Sequence, residues 1–252
     1  MYFRSFPTLI VPWLVAAALI PAPLSAQRFS ESQISRANTA SSCAYLSPEE
    51  RNVLLYLNLA RHDGPTFLAQ YILPHITEEN LDPVEQKYLI SLLAELRQTR
   101  NLPPLYPDPT LTLAARDHAH DLAQSRTFAH RSADGTPYPE RIARYLTDNQ
   151  FISANECLAT GYHDGLMTVI QLLIDQNVVD LGHRKALLDP EMRYLGVSTL
   201  PHPSHEWVSV LEFASHPVLP DPQTRQPTKA QAAPQQPLRQ PGPGLSLRVG
   251  DR

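Results

Sequence analysis

An apolar stretch from Leu9 to Ile20, broken only by Pro12, opens the chain. Helical stripes fill its middle, and β-rich runs end its folded part before a polar segment takes over. Ser47-Pro48-Glu49-Glu50 combines a hydroxyl cap, Pro at the first helical position and Glu three residues after the cap, which predicts a helix running to about His62, where Asp63-Gly64-Pro65 ends it. Asp82-Pro83-Val84-Glu85 repeats the device, and Val84, Tyr88, Leu92 and Leu96 carry a stripe at helical spacing as far as Arg100. Asp108-Pro109 caps a third helix through Ala123, with Ala at 114, 115, 119 and 123 to allow close packing. Beyond it the pattern predicts a strand over 151–158, a helix over 165–176 and a helical segment over 182–188 stopped by Asp189-Pro190. Tyr194–Leu200 and Trp207–Phe213 flank a turn containing Pro and His, as in a hairpin. Helices first, then strands with helices between them, predict an α+β domain, or a three-layer α/β/α one.

The two ends of the chain differ from this middle. Arg4, the apolar stretch and Leu24-Ser25-Ala26 read as a signal peptide over 1–26. A retained anchor needs about 18 or more uninterrupted apolar residues, and Pro7, Pro12 and Pro21 argue against one. Residues 27–42, polar and rich in Ser, read as a flexible segment. From 217 to 252 Pro, Gln, Gly and Arg dominate and no aromatic residue occurs, so this tail buries too little apolar surface to offset its ordering entropy and is expected to be disordered. The globular domain is therefore placed at 43–216. The formal net charge of −4 supplies no basic field, which argues against a nucleic-acid partner.

Cys43 and Cys157 are the two cysteines. A signal peptide implies an oxidising compartment, where a disulfide between them is possible; two separate buried thiols are equally consistent with the sequence. The familiar hydrolase and phosphate-binding motifs are absent: there is no G-x-S-x-G, no Gly-rich phosphate loop and no H-E-x-x-H, because His205-Glu206 is followed by Ser209 where the second His belongs. His118-Ala119-His120 is a poor chelate, since residues two apart on a helix diverge. His118 shares the face of Leu111, Ala115 and Leu122 and is expected as a packed or cleft-wall residue.

The remaining polar signals are His130 in Phe128-Ala129-His130, Glu156 in Asn155-Glu156-Cys157-Leu158, and Gly182-His183-Arg184. Together with Asn58-Leu59-Ala60-Arg61, Leu102-Pro103-Pro104-Leu105, the helix over 114–123, Leu187-Leu188 and Leu195-Gly196-Val197, their order and spacing resemble the CAP superfamily. This group of SCP-like domains includes cysteine-rich secretory proteins, venom antigens, plant pathogenesis-related proteins and many secreted bacterial proteins. The resemblance covers about residues 50–214. It implies a three-layer α/β/α sandwich with a central antiparallel sheet and a cleft lined by two histidines and two acidic residues. His130 and His183 match the family's histidines and Glu156 its Gly-Glu-Asn acid; Asp175 stands where many members have Glu, displaced by extra residues before Gly182. Asn155 and Cys157 replace the residues that flank that Glu in the family.

Independently of the family, two neutral imidazoles oriented by carboxylates are suitable ligands for zinc or another divalent metal. A hydrogen-bonded network locking helices to sheet uses the same residues. The resemblance implies a secreted or periplasmic binding or interaction module, with a small or lipid-like ligand or an envelope partner. The alternative is a zinc-assisted hydrolase with His130 and His183 on the metal and Glu156 as base. His202 and His205 are the next metal candidates. Arg184 and Glu212, charged among apolar neighbours, are each expected to have an opposite charge or a backbone partner.

Overall fold

A computed structural model describes residues 28–75, 83–145 and 153–217. The predicted signal peptide, the tail beyond 217, the cap Asp82 and the strand residues Phe151 and Ile152 lie outside the described residues.

Locally coded starts stand where the sequence puts them. Helix α2 (Pro48–His62) begins at Ser47 with a reciprocal capping box to Glu50. Helix α4 spans Pro83–Leu96, and α5 spans Pro109–Ser125 with the Asp108 carboxylate accepting from the Thr110 and Leu111 N–H groups. Asp63 ends α2 and at once caps the one-turn helix α3 (Gly64–Phe67), which continues as a π-helical turn over Leu68–Ile72. Helix α6 (Tyr138–Ala143) follows in a stretch whose sequence carries no side-chain cap. Helices α7 (Gly165–Ile174) and α8 (Gly182–Leu188) complete the helical set among the described residues.

Residues 28–42 correct the expectation of a flexible segment. Helix α1 (Glu31–Ala37) has its own capping box, Ser30 with Gln33. Phe29, Ala37 and Ala40 are buried, and the Asn58 amide of α2 donates to Ala37 O at 3.0 Å and to Leu105 O at 3.0 Å. Three buried apolar side chains and an amide bridge offset the ordering of these residues, which a count of serines does not reveal.

The sheet has the order β1-β3-β4-β2. Strands β3 (Tyr194–His202) and β4 (Glu206–Ala214) form the expected hairpin, and β2 (Ala154–Thr160) pairs antiparallel with β4. The two-residue β1 (Tyr106–Pro107) adds in parallel to the far side of β3. Side chains alternate across a strand, so the sheet has two distinct apolar faces. Leu158, Val208 and Val210 pack on Ala115, Ala119 and Leu122 of α5. Cys157, Val197, Leu211 and Phe213 point the other way, into the larger core with α2, α7 and α8. This is a three-layer α/β/α arrangement. At Gly196 a Cβ would stand 2.0 Å from the Leu111 backbone, so the glycine sets how closely α5 approaches the sheet.

Both cysteines are unpaired, Cys43 half-buried and Cys157 fully buried. The possible Cys43–Cys157 disulfide is therefore not formed. Cys157 faces the apolar core from the middle of β2, and its burial pushes the thiol pKa well up.

Candidate functional site

Helix α7 ends at Asp175, whose backbone is left-handed at φ 57°. Helix α8 then starts after Leu181, a residue with no capping side chain. Asp175 supplies the missing acceptor from across the loop: its Oδ2 accepts the Arg184 N–H at 3.1 Å while its Oδ1 accepts His183 Nδ1–H at 2.7 Å. A carboxylate is favoured at a helix N-terminus, and here the same group also orients an imidazole. With Nδ1 donating, His183 presents Nε2 as a lone-pair acceptor. The Asp175 carboxylate is fully buried, whereas His183 remains 22% exposed.

His130 comes from the other face of the sheet, on the loop that leaves α5 through the left-handed residue Arg126. Three side chains hold that loop from behind. His118 Nε2 donates to Ala129 O at 3.0 Å, Arg141 Nη2 to His130 O at 3.2 Å, and His202 Nε2 to Leu122 O and Thr127 O, each at 3.1 Å. His118 is buried, and burial lowers its pKa despite the nearby Glu156 carboxylate. Its Nδ1 has no hydrogen-bond partner among the described residues, in keeping with a neutral ring that donates through Nε2. His202 Nδ1 accepts from Ser204 N at 3.1 Å; both its nitrogens are engaged, which removes His202 from the metal candidates.

Strand β2 brings Glu156 under this loop, and Glu156 Oε1 accepts from His130 Nδ1 at 2.8 Å. The register of β2 on β4 sets Glu156 directly opposite Glu212, on the α5 face. Their side chains are 1% and 0% exposed. Arg141 of α6 spans the pair, with Nη2 on Glu156 Oε2 at 2.5 Å and Nη1 on Glu212 Oε1 at 3.2 Å. Burial first, and then the Glu156 charge, pushes the Glu212 pKa well above the usual carboxylate range. One guanidinium thus bridges two buried carboxyl groups, of which Glu212 is pushed toward its protonated form by burial and by its neighbour.

The two imidazoles face each other across the outer strand β2, with ring centroids 6.5 Å apart and planes inclined by 34°. Each has Nδ1 tied to a buried carboxylate and contributes one free Nε2 to the cleft. No three His, Cys, Asp or Glu side chains converge in metal-binding geometry among the described residues. The fit to zinc or another divalent cation therefore extends to two oriented imidazole nitrogens, with further positions left to solvent or ligand.

His130, Glu156, Asp175 and His183 are thus brought to one cleft as two histidine–acid pairs. His118 is a packed residue that supports the His130 loop from behind. Glu156 has Oε1 on His130 and Oε2 on Arg141, so both oxygens of the base named in the hydrolase alternative already carry hydrogen bonds. Arg184 is buried and donates to Leu173 O, Ile174 O, Tyr88 O and Ser91 Oγ, with Glu95 at 3.5 Å. Sequence reasoning missed Arg141: the polar stretch before it carries no helix cap, and its role exists only once β2 and β4 are in register.

The family model for CAP, the cysteine-rich secretory protein family, matches residues 90–213. A curated but uncharacterised protein of Borreliella burgdorferi is 32% identical over 112 residues, which cover 44% of this chain. The matched stretch spans 66% of that relative's length. Among solved structures, an outer surface protein from Borrelia burgdorferi is 29% identical with a TM-score of 0.38, covering 53% of this chain and 95% of that one. An extracellular protein containing an SCP domain from Bacillus anthracis is 24% identical with a TM-score of 0.38, covering 59% of this chain and 49% of that one.

Proposed function

Residues 90–213 form a domain of the cysteine-rich secretory protein (CAP) family, and from that premise we propose that the chain is a secreted or periplasmic interaction module whose histidine cleft binds a small ligand or a divalent metal. The observation that carries the reading is the pair of facing imidazoles, each with Nδ1 held by a buried carboxylate at 2.7–2.8 Å. Such an arrangement turns the outer nitrogen of each ring away from its carboxylate and spends no described hydrogen bond there, which suits a site that receives something from outside. An extracellular or surface setting is supported by the apolar N-terminal stretch and by relatives named as an outer surface protein and an extracellular protein. Among the described residues no helix is long and apolar enough to cross a membrane.

If a cation such as zinc is bound, His130 and His183 are its protein ligands, Glu156 and Asp175 orient them, and the ion supplies Lewis acidity to a bound group. Two nitrogens are fewer than the three protein ligands of an ordinary catalytic zinc, and Glu156 is already engaged on both oxygens, so binding rather than hydrolysis is the favoured role. The test is calorimetric titration of zinc into the wild-type chain, His130→Ala and His183→Ala. Saturable binding lost in both variants supports the reading. Binding that survives both substitutions places the metal elsewhere.

A further inference from the structure

Beside His183, between the end of β2 and the loop that follows α7, lies a cavity of about 200 Å³ that the histidine pair alone does not account for. Leu158, Leu172, Ile174 and Val178 are among its apolar lining, and Phe128 joins them from the His130 loop. Two amide side chains also line it, Gln171 and Gln176, and the Oε1 of each is buried with no hydrogen-bond partner among the described residues. A buried acceptor without a donor is costly, and one carried by a cavity-lining amide gains a donor when that amide turns toward a ligand that brings one.

Size narrows the occupant. A cavity of about 150 Å³ lined by aliphatic and aromatic side chains holds benzene, whereas sites for drug-sized molecules start at about 300 Å³. The present cavity thus fits one ring, and a sterol or long acyl chain could place only its end there. We propose that this cavity is a subsite for a ring-sized apolar group that carries an O–H or N–H donor, with a small phenol as the representative ligand, its ring against the aliphatic wall and its donor on Gln171 or Gln176. The inference deepens the proposed ligand reading and rests on it through His183 and Asp175, which border both spaces.

The experiment titrates phenol and toluene into the full chain, followed by amide chemical shifts, alongside three variants whose folding is checked by thermal melts. Phenol should bind about fivefold more tightly than toluene, the ratio that one net hydrogen bond produces. Gln171→Leu combined with Gln176→Leu should bring the ratio to about one while toluene still binds. Val178→Trp, at a half-buried loop position, should block both ligands. His130→Ala should leave phenol binding intact even if it abolishes zinc binding, which separates failure of this subsite from failure of the metal reading. No saturable binding of either ligand, equal affinities in the wild type, or phenol binding that persists in Val178→Trp would overturn the proposal.

Discussion

Replacing Arg141 by Met keeps most of the side-chain volume and removes the guanidinium that spans Glu156 and Glu212. The arginine side chain is 6% exposed and its two carboxylate partners are 1% and 0% exposed, so water cannot take over its role. Removing one partner of a buried ion pair costs about 3–5 kcal/mol. Glu212 tempers this, because burial and the neighbouring carboxylate already raise its pKa well above the usual carboxylate range, leaving Glu156 as the principal charge exposed to the loss. We therefore expect the lower end, about 3 kcal/mol, which in a domain of this size lowers Tm by about 6–12 °C. The pH dependence has a definite sign. A carboxyl whose folded pKa lies above its unfolded value gives stability that is complete below the unfolded pKa and declines as pH rises through the folded one. Loss of Arg141 raises the Glu212 pKa further, so the deficit of Arg141→Met should be smaller at pH 5 than at pH 8. Adding Glu212→Gln should recover part of it at pH 8. Thermal melts of the wild type, the single variant and the double variant at both pH values measure all of this; a Tm of Arg141→Met within about 2 °C of wild type, or a deficit equal at both pH values, would refute the argument.

Arg184→Ala strands the carbonyls of Leu173, Ile174 and Tyr88 without their donor and should lower stability by about 3–5 kcal/mol in chemical denaturation, with no requirement for ligand. His118, neutral because of burial, has a folded pKa below its unfolded one, so its contribution is complete above the unfolded pKa of about 6.5 and falls on acidification; His118→Gln should flatten the pH 5–7 part of the stability profile. Alkylation of the native chain with iodoacetamide should modify half-buried Cys43 and spare buried Cys157, as mass spectrometry of the peptides would reveal.

What the sequence made legible divides by range. Starts of helices at Ser47 and Asp108 are coded within a few residues by a cap, a proline and an acid, and physics at that distance suffices to read them. The β3–β4 hairpin is legible for the same reason. The N-terminal helix was equally local, since Ser30 and Gln33 form a capping box, but a polar composition masked it. The site itself is non-local. The histidines and Glu156 stood out as polar signals, but a family resemblance was needed to bring them to one cleft, and Asp175 became intelligible when its carboxylate proved to cap α8 across a loop. Arg141 and Glu212 were out of reach as a unit, because a one-residue slip of β2 on β4 would send Glu156 to the opposite face from Glu212.

Strand β2 is seven residues long and stands at the outside of the sheet. Outer strands with unpaired N–H and C=O groups invite a second chain to add alongside, which makes them starting points for insoluble assemblies. Here Phe128 of the His130 loop and Gln176, Asn177, Val178 and His183 of the stretch from α7 into α8 line one cavity together with the end of β2. The segments that build the cleft thereby also act as guards of the sheet's vulnerable margin. Solubility and recognition are tied to the same few residues, and a change that frees the His130 loop while leaving the core intact would be felt first as self-association.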